Sequence, residues 1–239
     1  MKTEAHLDAA FGSAEPEHYA WQTEHPYVSE CERDLIGKAF LPIGSRVLDV
    51  GCGEGATLHH LGAPAGATGM DLFAEKIQFA RRTLPECRFV VGSAYDLPFE
   101  NSSFDHVLVR DLVHHLDRPE RFVDECARVL SPGGRIDVLE PCRYNPLVLM
   151  HALLVPVERG EFRSTLPYLS RLISARFTIT ERNRLQPMPI HRIVFHPVHG
   201  RPGLARNPGV RAAVSACERV AGHLIPRALW AYLHVRATH

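Results

Sequence analysis

Three features of the sequence predict an α/β fold built on a doubly wound, mostly parallel sheet. Short β-branched runs alternate with helical patterns from residue 46 onward. The first run, Arg46–Val50, leads into glycines at alternate positions, Gly51, Gly53 and Gly55. A carboxylate, Asp71, stands twenty residues beyond Gly51, where the second run ends. Strands alternating with helices pair in parallel through right-handed crossovers, which cover both sheet faces.

The elements follow in order. Arg46–Val50 reads as a buried strand, and Glu54–Leu61 as the helix after its turn. Ala67–Asp71 is a second strand, and Phe73–Leu84 an amphipathic helix stopped by Pro85. Arg88–Val91 and Phe104–Val109 are the third and fourth strands. Pro119–Leu130 is a helix closed by Ser-Pro-Gly-Gly, and Arg135–Leu139 is the fifth strand. Beyond Pro141 the rhythm changes. Asn145-Pro146 opens an apolar helix, Thr165–Ala175 reads as another, and Phe177–Arg184 and Trp230–Ala237 read as two last strands. The long Pro-, His- and Arg-rich stretch between those strands, helical near Val210–Ile225, reads as a cap rather than a separate domain.

Composition narrows the class. The chain has 239 residues, 45% hydrophobic and 23% charged, which excludes disorder, collagen and coiled coil and suffices for a domain with its own core. Its 27 basic and 27 acidic residues balance overall but not locally. Residues 1–140 carry 13 basic and 23 acidic side chains, and residues 141–239 the other 14 and 4. Such a basic segment suits an anionic substrate, a membrane surface or nucleic acid. The six cysteines are scattered without a C-x-x-C pair, which favours a reducing compartment. The N-terminal segment lacks the apolar run of a signal peptide, and the most hydrophobic stretch, Pro146–Val157, is too short to span a bilayer. A soluble, cytoplasmic protein is expected.

Glycines directly after a buried strand permit a tight turn and close approach of a ligand to the backbone. Dinucleotide-binding loops follow G-x-G-x-x-G. Here the third glycine comes one position sooner, and Asp49 precedes the first. A carboxylate placed like Asp71 can accept both ribose hydroxyls of an adenosine ligand.

Four motifs in order, LDVGCGEG, GMD, GSAYDLPFENSSFD and HHLDRPERFVDECARVLSPGGRIDVLEP, resemble those of class I S-adenosylmethionine-dependent methyltransferases. The resemblance is to the type 11 group, which includes the ubiquinone and menaquinone C-methyltransferases, and it runs from Arg46 to Pro141. It implies S-adenosyl-L-methionine as cofactor and a seven-stranded Rossmann-like methyltransferase fold, with a helical cap before the last strand. The last two strands should then pair antiparallel at the sheet edge. The expected organisation is a single domain, with a lid over residues 1–45, a cofactor-binding core over 46–141, and the acceptor cap and last strands over 142–239. By the same resemblance Asp49, Gly51, Cys52 and Gly53 belong to the loop at the methionine end. Asp71 and Leu72 would hold the ribose and flank the adenine, Ser93 and Ala94 would approach the adenine edge, and Arg110 would lie beneath the sulfonium. Position 93 departs from the family pattern, which is usually acidic. The Ser93 hydroxyl is a weaker acceptor than a carboxylate, and Asp96 is a candidate substitute.

Methyl transfer from a sulfonium is an in-line displacement, so the protein's share is mostly alignment and exclusion of water. A general base is needed only when the acceptor must lose a proton. The segment Arg110-Asp111-Leu112-Val113-His114-His115 follows strand four, where open parallel sheets bind their ligands. If it is helical, Asp111 and His115 share a face and form a carboxylate–imidazole pair. The alternative is that His115 packs or caps the turn before Pro119. His191, His196 and His199 invite a metal reading, but Pro187, Pro189 and Pro197 break any helix that would align them. Loop histidines and no metal are expected. His59 and His60 should face solvent or cap their helix. Phe11, Tyr19, Trp21 and Tyr27 suit either a lid whose rings face the sulfonium or the packing of a terminal helix.

The cap combines an apolar run (Leu147, Val148, Leu149, Met150, Leu153, Leu154, Val155) with Arg159, Arg163, Arg171, Arg176, Arg182, Arg184, Arg192, Arg201, Arg206 and Arg211. An apolar wall with a cationic rim suits a small hydrophobic or lipid-like acceptor bearing an anionic or carbonyl group, or peripheral contact with an anionic membrane. A solvated basic surface is the alternative. Two rival readings are an RNA or protein methyltransferase and a non-catalytic cofactor-binding module. With no appended RNA module and no N/D-P-P-Y-type segment after strand four, nucleic acid is the weaker expectation.

Overall fold

A computed structural model describes residues 12–197 and 200–239. Phe11 and His199 lie outside them. Helices α1 (Pro16–Thr23) and α2 (Val28–Phe40) precede β1 (Val47–Val50), α3 (Ala56–His60), β2 (Thr68–Asp71), α4 (Ala74–Thr83) and β3 (Arg88–Val91). Then follow β4 (Phe104–Arg110), a 3₁₀ turn at Val113–His115, α5 (Pro119–Val129) and β5 (Leu130–Pro141). The later part holds α6 (Pro146–Leu154), a 3₁₀ segment Pro156–Arg163, α7 (Leu166–Ser174), β6 (Thr178–Leu185), α8 (His191–Val194), α9 (Pro208–Leu224) and β7 (Tyr232–Thr238).

The seven strands form one sheet in the order β3-β2-β1-β4-β5-β7-β6. Strands β1 to β5 run parallel to one another, and β7 lies antiparallel between β5 and β6, as the family resemblance implies. Strand order reverses between β1 and β4, which opens a crevice at their carboxyl ends. Strand β5 begins earlier than predicted because Ser-Pro-Gly-Gly is absorbed into it as an irregularity. The register against β4 jumps from Phe104↔Leu130 to His106↔Arg135, with Gly133 at φ +75° making the turn.

Two buried clusters clothe the sheet. Phe122, Val123, Cys126 and Val129 of α5 pack with Leu169, Leu172 and Ile173 of α7 over one set of strand residues. Leu35, Ile36, Ala39 and Phe40 of α2 pack with Ile77 and Ala80 of α4 over another. The two helices expected from Asn145 and from Thr165 are each capped by that first side chain. Asn145 Oδ1 accepts from Leu147 N and Val148 N at the start of α6, and Thr165 Oγ1 accepts from Tyr168 N at α7. A third cluster joins the chain's beginning to its later part: Trp21 and Val28 pack with Phe195, Ala205 and Val214, and Trp21 Nε1 donates to Phe195 O at 2.7 Å. Among the described residues no helix is long and apolar enough to cross a membrane.

Candidate active site

The glycine loop is shaped by the strand beside it. Gly51 and Cys52 N–H both donate to Met70 O of β2, at 2.8 and 3.0 Å, so the chain leaving β1 is pinned to β2 before it turns. Gly51, Gly53 and Gly55 all take positive φ, between +53° and +90°, a region that side chains with a Cβ rarely enter. Asp71 then closes the loop from below. Its Oδ2 accepts from Gly53 N at 2.8 Å and its Oδ1 from Phe73 N at 3.1 Å, which leaves further lone pairs on both oxygens. A Cβ on Gly53 would meet nothing within 4 Å, so the backbone there borders open space.

That space is one cavity of about 730 Å³ at the carboxyl ends of the central strands. Of the residues predicted from sequence, it brings together Gly51, Gly53, Asp71, Leu72, Ser93, Ala94, Asp111 and His115. Asp49, Cys52 and Arg110 do not line it. Asp49 is buried behind the loop with Oδ2 lacking a hydrogen-bond partner, and burial pushes its carboxyl up to about 7 despite the opposing pull of Arg110. Cys52 belongs to the α2–α4 core cluster. Asp96, offered as a stand-in for the family's acid, is exposed and outside the lining, while Ser93 Oγ accepts from Tyr95 N at 3.2 Å.

Arg110 serves an ion cluster rather than the cavity wall. Glu32 of α2, fully buried, holds Arg110 on Oε2 at 2.5 Å and Arg192 on Oε1 at 2.7 Å. Burial would raise the Glu32 carboxyl, but the two guanidinium groups outweigh it and hold it well below the usual range. The cluster clamps α2, the end of β4 and α8 together. Arg192 lines the cavity, and of the ten cap arginines it is the one in the lining. Several others are spent on structure: Arg163 donates to Leu116 O, Arg184 to Ala228 O, and Arg176 pairs with Asp124. Of the cap arginines expected to form a cationic rim, Arg192 is therefore the one that reaches this cavity among the described residues.

The acceptor end carries histidines and glutamates instead. Residues 111–115 are not helical: Asp111 sits at φ +51° and a short 3₁₀ turn follows, so the predicted helical face is not formed. Asp111 Oδ2 lies 3.3 Å from Arg110 Nε, and His115 Nε2 lies 3.6 Å from Glu158 Oε2. The turn is organised by Glu140, fully buried at the end of β5. Its Oε1 accepts from Leu112 N and Val113 N at 2.8 and 2.7 Å, and its Oε2 from His114 Nδ1 at 2.7 Å. His114 Nε2 in turn lies 3.2 Å from Glu158 Oε2. Burial works against a charged His114, but Glu140 and Glu158 outweigh it and push the imidazole up to about 10.

Glu158 is presented by the 3₁₀ segment Pro156–Arg163, which also places Glu161 in the lining. The segment lies so close to the turn that a Cβ on Gly160 would collide with the His114 carbonyl. Gly160→Ala should push the segment outward and cost about 1–3 kcal/mol, read as a lower urea midpoint with an unchanged slope. Glu32, Glu140 and Glu158 are not singled out from sequence, while His114 enters there only within the segment 110–115 and Arg192 only among the cap arginines. The available signals were a carboxylate closing an apolar strand (Val138-Leu139-Glu140) and the doubled histidine.

The N-terminal aromatics divide between the two expectations. Tyr19 and Trp21 line the cavity and are also buried, while Tyr27 OH donates to Glu218 Oε2 at 2.9 Å. His59 and His60 do not simply face solvent. Tyr19 OH lies 3.4 Å from His59 Nδ1 and His60 Nε2 lies 3.1 Å from Gln22 O, so both bind α1 to α3. Burial, the larger effect, pulls His60 down to about 4.

Comparison with known proteins agrees with this geometry. The methyltransferase domain family of type 11 matches residues 48–137. A fatty-acid O-methyltransferase of Mycolicibacterium smegmatis is 45% identical over 96 residues, covering 38% of this chain and 35% of its own. A demethylmenaquinone methyltransferase of Tropheryma whipplei is 33% identical over 138 residues, covering 55% of this chain and 54% of its own. The chain thus spans between a third and about half of the length of these curated relatives. In fold, it is similar to the Haemonchus contortus phosphoethanolamine N-methyltransferase 2 solved with S-adenosyl-L-methionine, at 18% identity and a TM-score of 0.66 over 99% of this chain and 58% of that one. Residues 48–137, which hold the glycine loop, Asp71 and strands β2 to β4, thus match the type 11 methyltransferase domain family, and they sit in a seven-stranded sheet of methyltransferase-like fold.

Proposed function

We infer that the protein transfers a methyl group from S-adenosyl-L-methionine to a small hydrophobic or lipid-like acceptor. The observation that carries the reading is the two-sided cavity: the glycine loop and Asp71 form one side, and the apolar face of α6 forms the other. The first side fits an adenosine cofactor. Asp71 retains lone pairs for the ribose hydroxyls, and Gly53 leaves room for close approach. When bound, the cofactor supplies an electrophilic methyl on a sulfonium.

The chain's own residues would do the rest. Residues 1–45 act in this reading as a lid, with Trp21 excluding water from the cavity mouth; residues 46–141 hold the cofactor and 142–239 the acceptor. Leu147, Val148 and Met150 of α6 line the acceptor side, while Leu153 and Leu154 stand 61% and 73% exposed at its outer end. An apolar helix that is half wall and half surface suits an acceptor arriving from a membrane or carrier. The fatty-acid and demethylmenaquinone methyltransferases among the relatives support that acceptor class. His115, with Asp111 at the same end of the cavity, would take the acceptor's proton where the attacking atom needs to lose one.

The test is a thermal-shift titration with S-adenosylhomocysteine, followed by a labelled-methyl assay over fatty acids, quinols and phenols. The homocysteine product should stabilise the protein, and a lipid-like acceptor should be labelled. Stabilisation by NADH and not by the homocysteine product would overturn the cofactor reading, and label appearing only in RNA or protein would overturn the acceptor reading. His115→Ala should lower turnover with that acceptor while leaving S-adenosylhomocysteine affinity in place.

A further inference from the structure

We propose that His114, His115 and Glu158 form a binding site for one zinc-class divalent cation at the acceptor end of the cavity. A nitrogen from each ring and an oxygen from the carboxylate lie within 4.8 Å of one another. His114 Nε2 stands 3.2 Å and His115 Nε2 3.6 Å from the same Glu158 Oε2. Zinc bonded tetrahedrally at about 2.0–2.1 Å separates its ligand atoms by roughly 3.3–3.4 Å. The two nitrogen–oxygen separations therefore already stand close to the edge lengths of such a polyhedron, and the third separation lies within 4.8 Å.

The surroundings of His114 are those of a built ligand. Its Nδ1 bonds to Glu140 Oε2 at 2.7 Å, which leaves Nε2 as the nitrogen that faces Glu158. Glu140 is itself fixed by the N–H groups of Leu112 and Val113. Carboxylate–histidine pairs of this kind set the tautomer and the ring orientation at metal sites. A second observation points the same way. Glu161, on the segment that carries Glu158 and in the same lining, is 6% exposed and has an Oε2 with no hydrogen-bond partner. Two imidazoles and one carboxylate suit zinc better than magnesium or calcium, which prefer oxygen ligands throughout. Three protein ligands leave a fourth position on the cavity side, the arrangement that accepts water or a substrate oxygen.

A second group, Cys31, His191 and Glu218, also gathers three such atoms. Its carboxylate is already committed: Oε1 accepts from His191 N and lies 2.7 Å from His191 Nδ1, and Oε2 accepts from Tyr27 OH. It serves as the internal control. The inference stands on ligand geometry and does not need the methyl-transfer reading to hold; with the ion bound, His115 serves as its ligand and not as the acceptor's base.

The full chain, stripped with chelator, is titrated with Zn²⁺ against a chromophoric competitor and separately with Mg²⁺. One equivalent of Zn²⁺ should bind, with no comparable Mg²⁺ binding. Glu158→Gln and, independently, His115→Ala should remove that equivalent, and Glu140→Gln should weaken it about 10- to 100-fold. Cys31→Ser should keep it. Far-ultraviolet circular dichroism checks that each variant is folded. With cobalt as probe, the bound ion should lack a thiolate charge-transfer band. No stoichiometric Zn²⁺ binding, or binding lost in Cys31→Ser and kept in folded Glu158→Gln, would overturn the site.

Discussion

Asp137→Ala should lower unfolding stability by about 3–5 kcal/mol, the cost of removing one partner from a buried charged network. Asp137 is fully buried at the middle of β5, between β4 and β7. Its Oδ1 holds His234 Nε2 and Arg236 Nε, each at 2.7 Å, and its Oδ2 holds His106 Nε2 at 2.8 Å and lies 3.3 Å from Arg135 Nε. Arg236 also donates to Ala39 O, and Arg135 to Phe40 O, at the carboxyl end of α2. One carboxylate therefore neutralises two guanidinium groups that in turn cap a helix against the sheet. Truncation leaves both cations without their central counter-charge, and urea unfolding should show the loss as a lower midpoint.

The same network sets an acid limit. Burial would raise Asp137, but hydrogen bonds and charge from His106 and His234 hold its carboxyl far below the ordinary value. A depressed carboxylate contributes stability that is present above the unfolded value, about 3.9, and is lost as pH falls below it. His106 moves the same way for a different reason. Burial lowers its pKa, and its Nδ1 accepts from Gly44 N at 3.2 Å, so the folded state keeps the ring neutral. Its contribution is present above about 6.5 and erodes below that value. Stability should therefore decline in two stages on acidification, the first beginning below about pH 6.5 and the steeper near pH 4. Asp137→Ala should shrink the second stage and leave the part that the likewise depressed Glu32 carboxyl contributes. A variant with an unchanged acid profile would place the titration elsewhere.

The part of the fold legible in the sequence is the part governed by local rules. The βα rhythm, the helix opened by Asn145-Pro146 and the glycine loop each depend on residues a few positions apart, and each reappears in the elements described above. The edge pairing of β6 and β7 came through the family resemblance. What was not legible depends on residues distant in the chain meeting one another. Glu32 finds Arg192 across 160 positions, and His114 finds Glu158 across 44. Neither spacing carries any periodicity. Arginine enrichment in the cap pointed to a charged acceptor surface, yet most of the arginines named in the site bond to backbone carbonyls or carboxylates of neighbouring elements. The expected Asp111–His115 face was conditional on a helix. That helix is pre-empted by Glu140, which draws three consecutive N–H groups, Leu112, Val113 and His114, onto one carboxylate. The local pattern could not weigh a partner 26 residues away.

Asp71→Ala should weaken S-adenosylhomocysteine binding by about 1.5–3 kcal/mol, the range for hydrogen bonds to a charged group, or roughly 10- to 150-fold. Two effects add. The carboxylate that would accept the ribose hydroxyls is removed, and so is the acceptor that holds Gly53 N at 2.8 Å and Phe73 N at 3.1 Å, so the loop loses its anchor as well as its ligand contact. Asp71→Asn separates them, because the amide oxygen can still accept from one of these N–H groups while the charge is gone. It should bind between wild type and Asp71→Ala. Calorimetry gives the affinities directly, and thermal stability gives an independent reading. Ligand at a hundred times its dissociation constant stabilises the native state by about 2.7 kcal/mol, and a 100-fold weaker variant at the same concentration keeps only about 0.4 kcal/mol. Ligand-free stability tests the alternative that Asp71 is simply structural. If both variants lost apo stability and kept full affinity, the ribose would have to bind elsewhere in the cavity. If apo stability held and affinity fell in the order stated, the carboxylate's charge would be the recognition element and the glycine loop its scaffold.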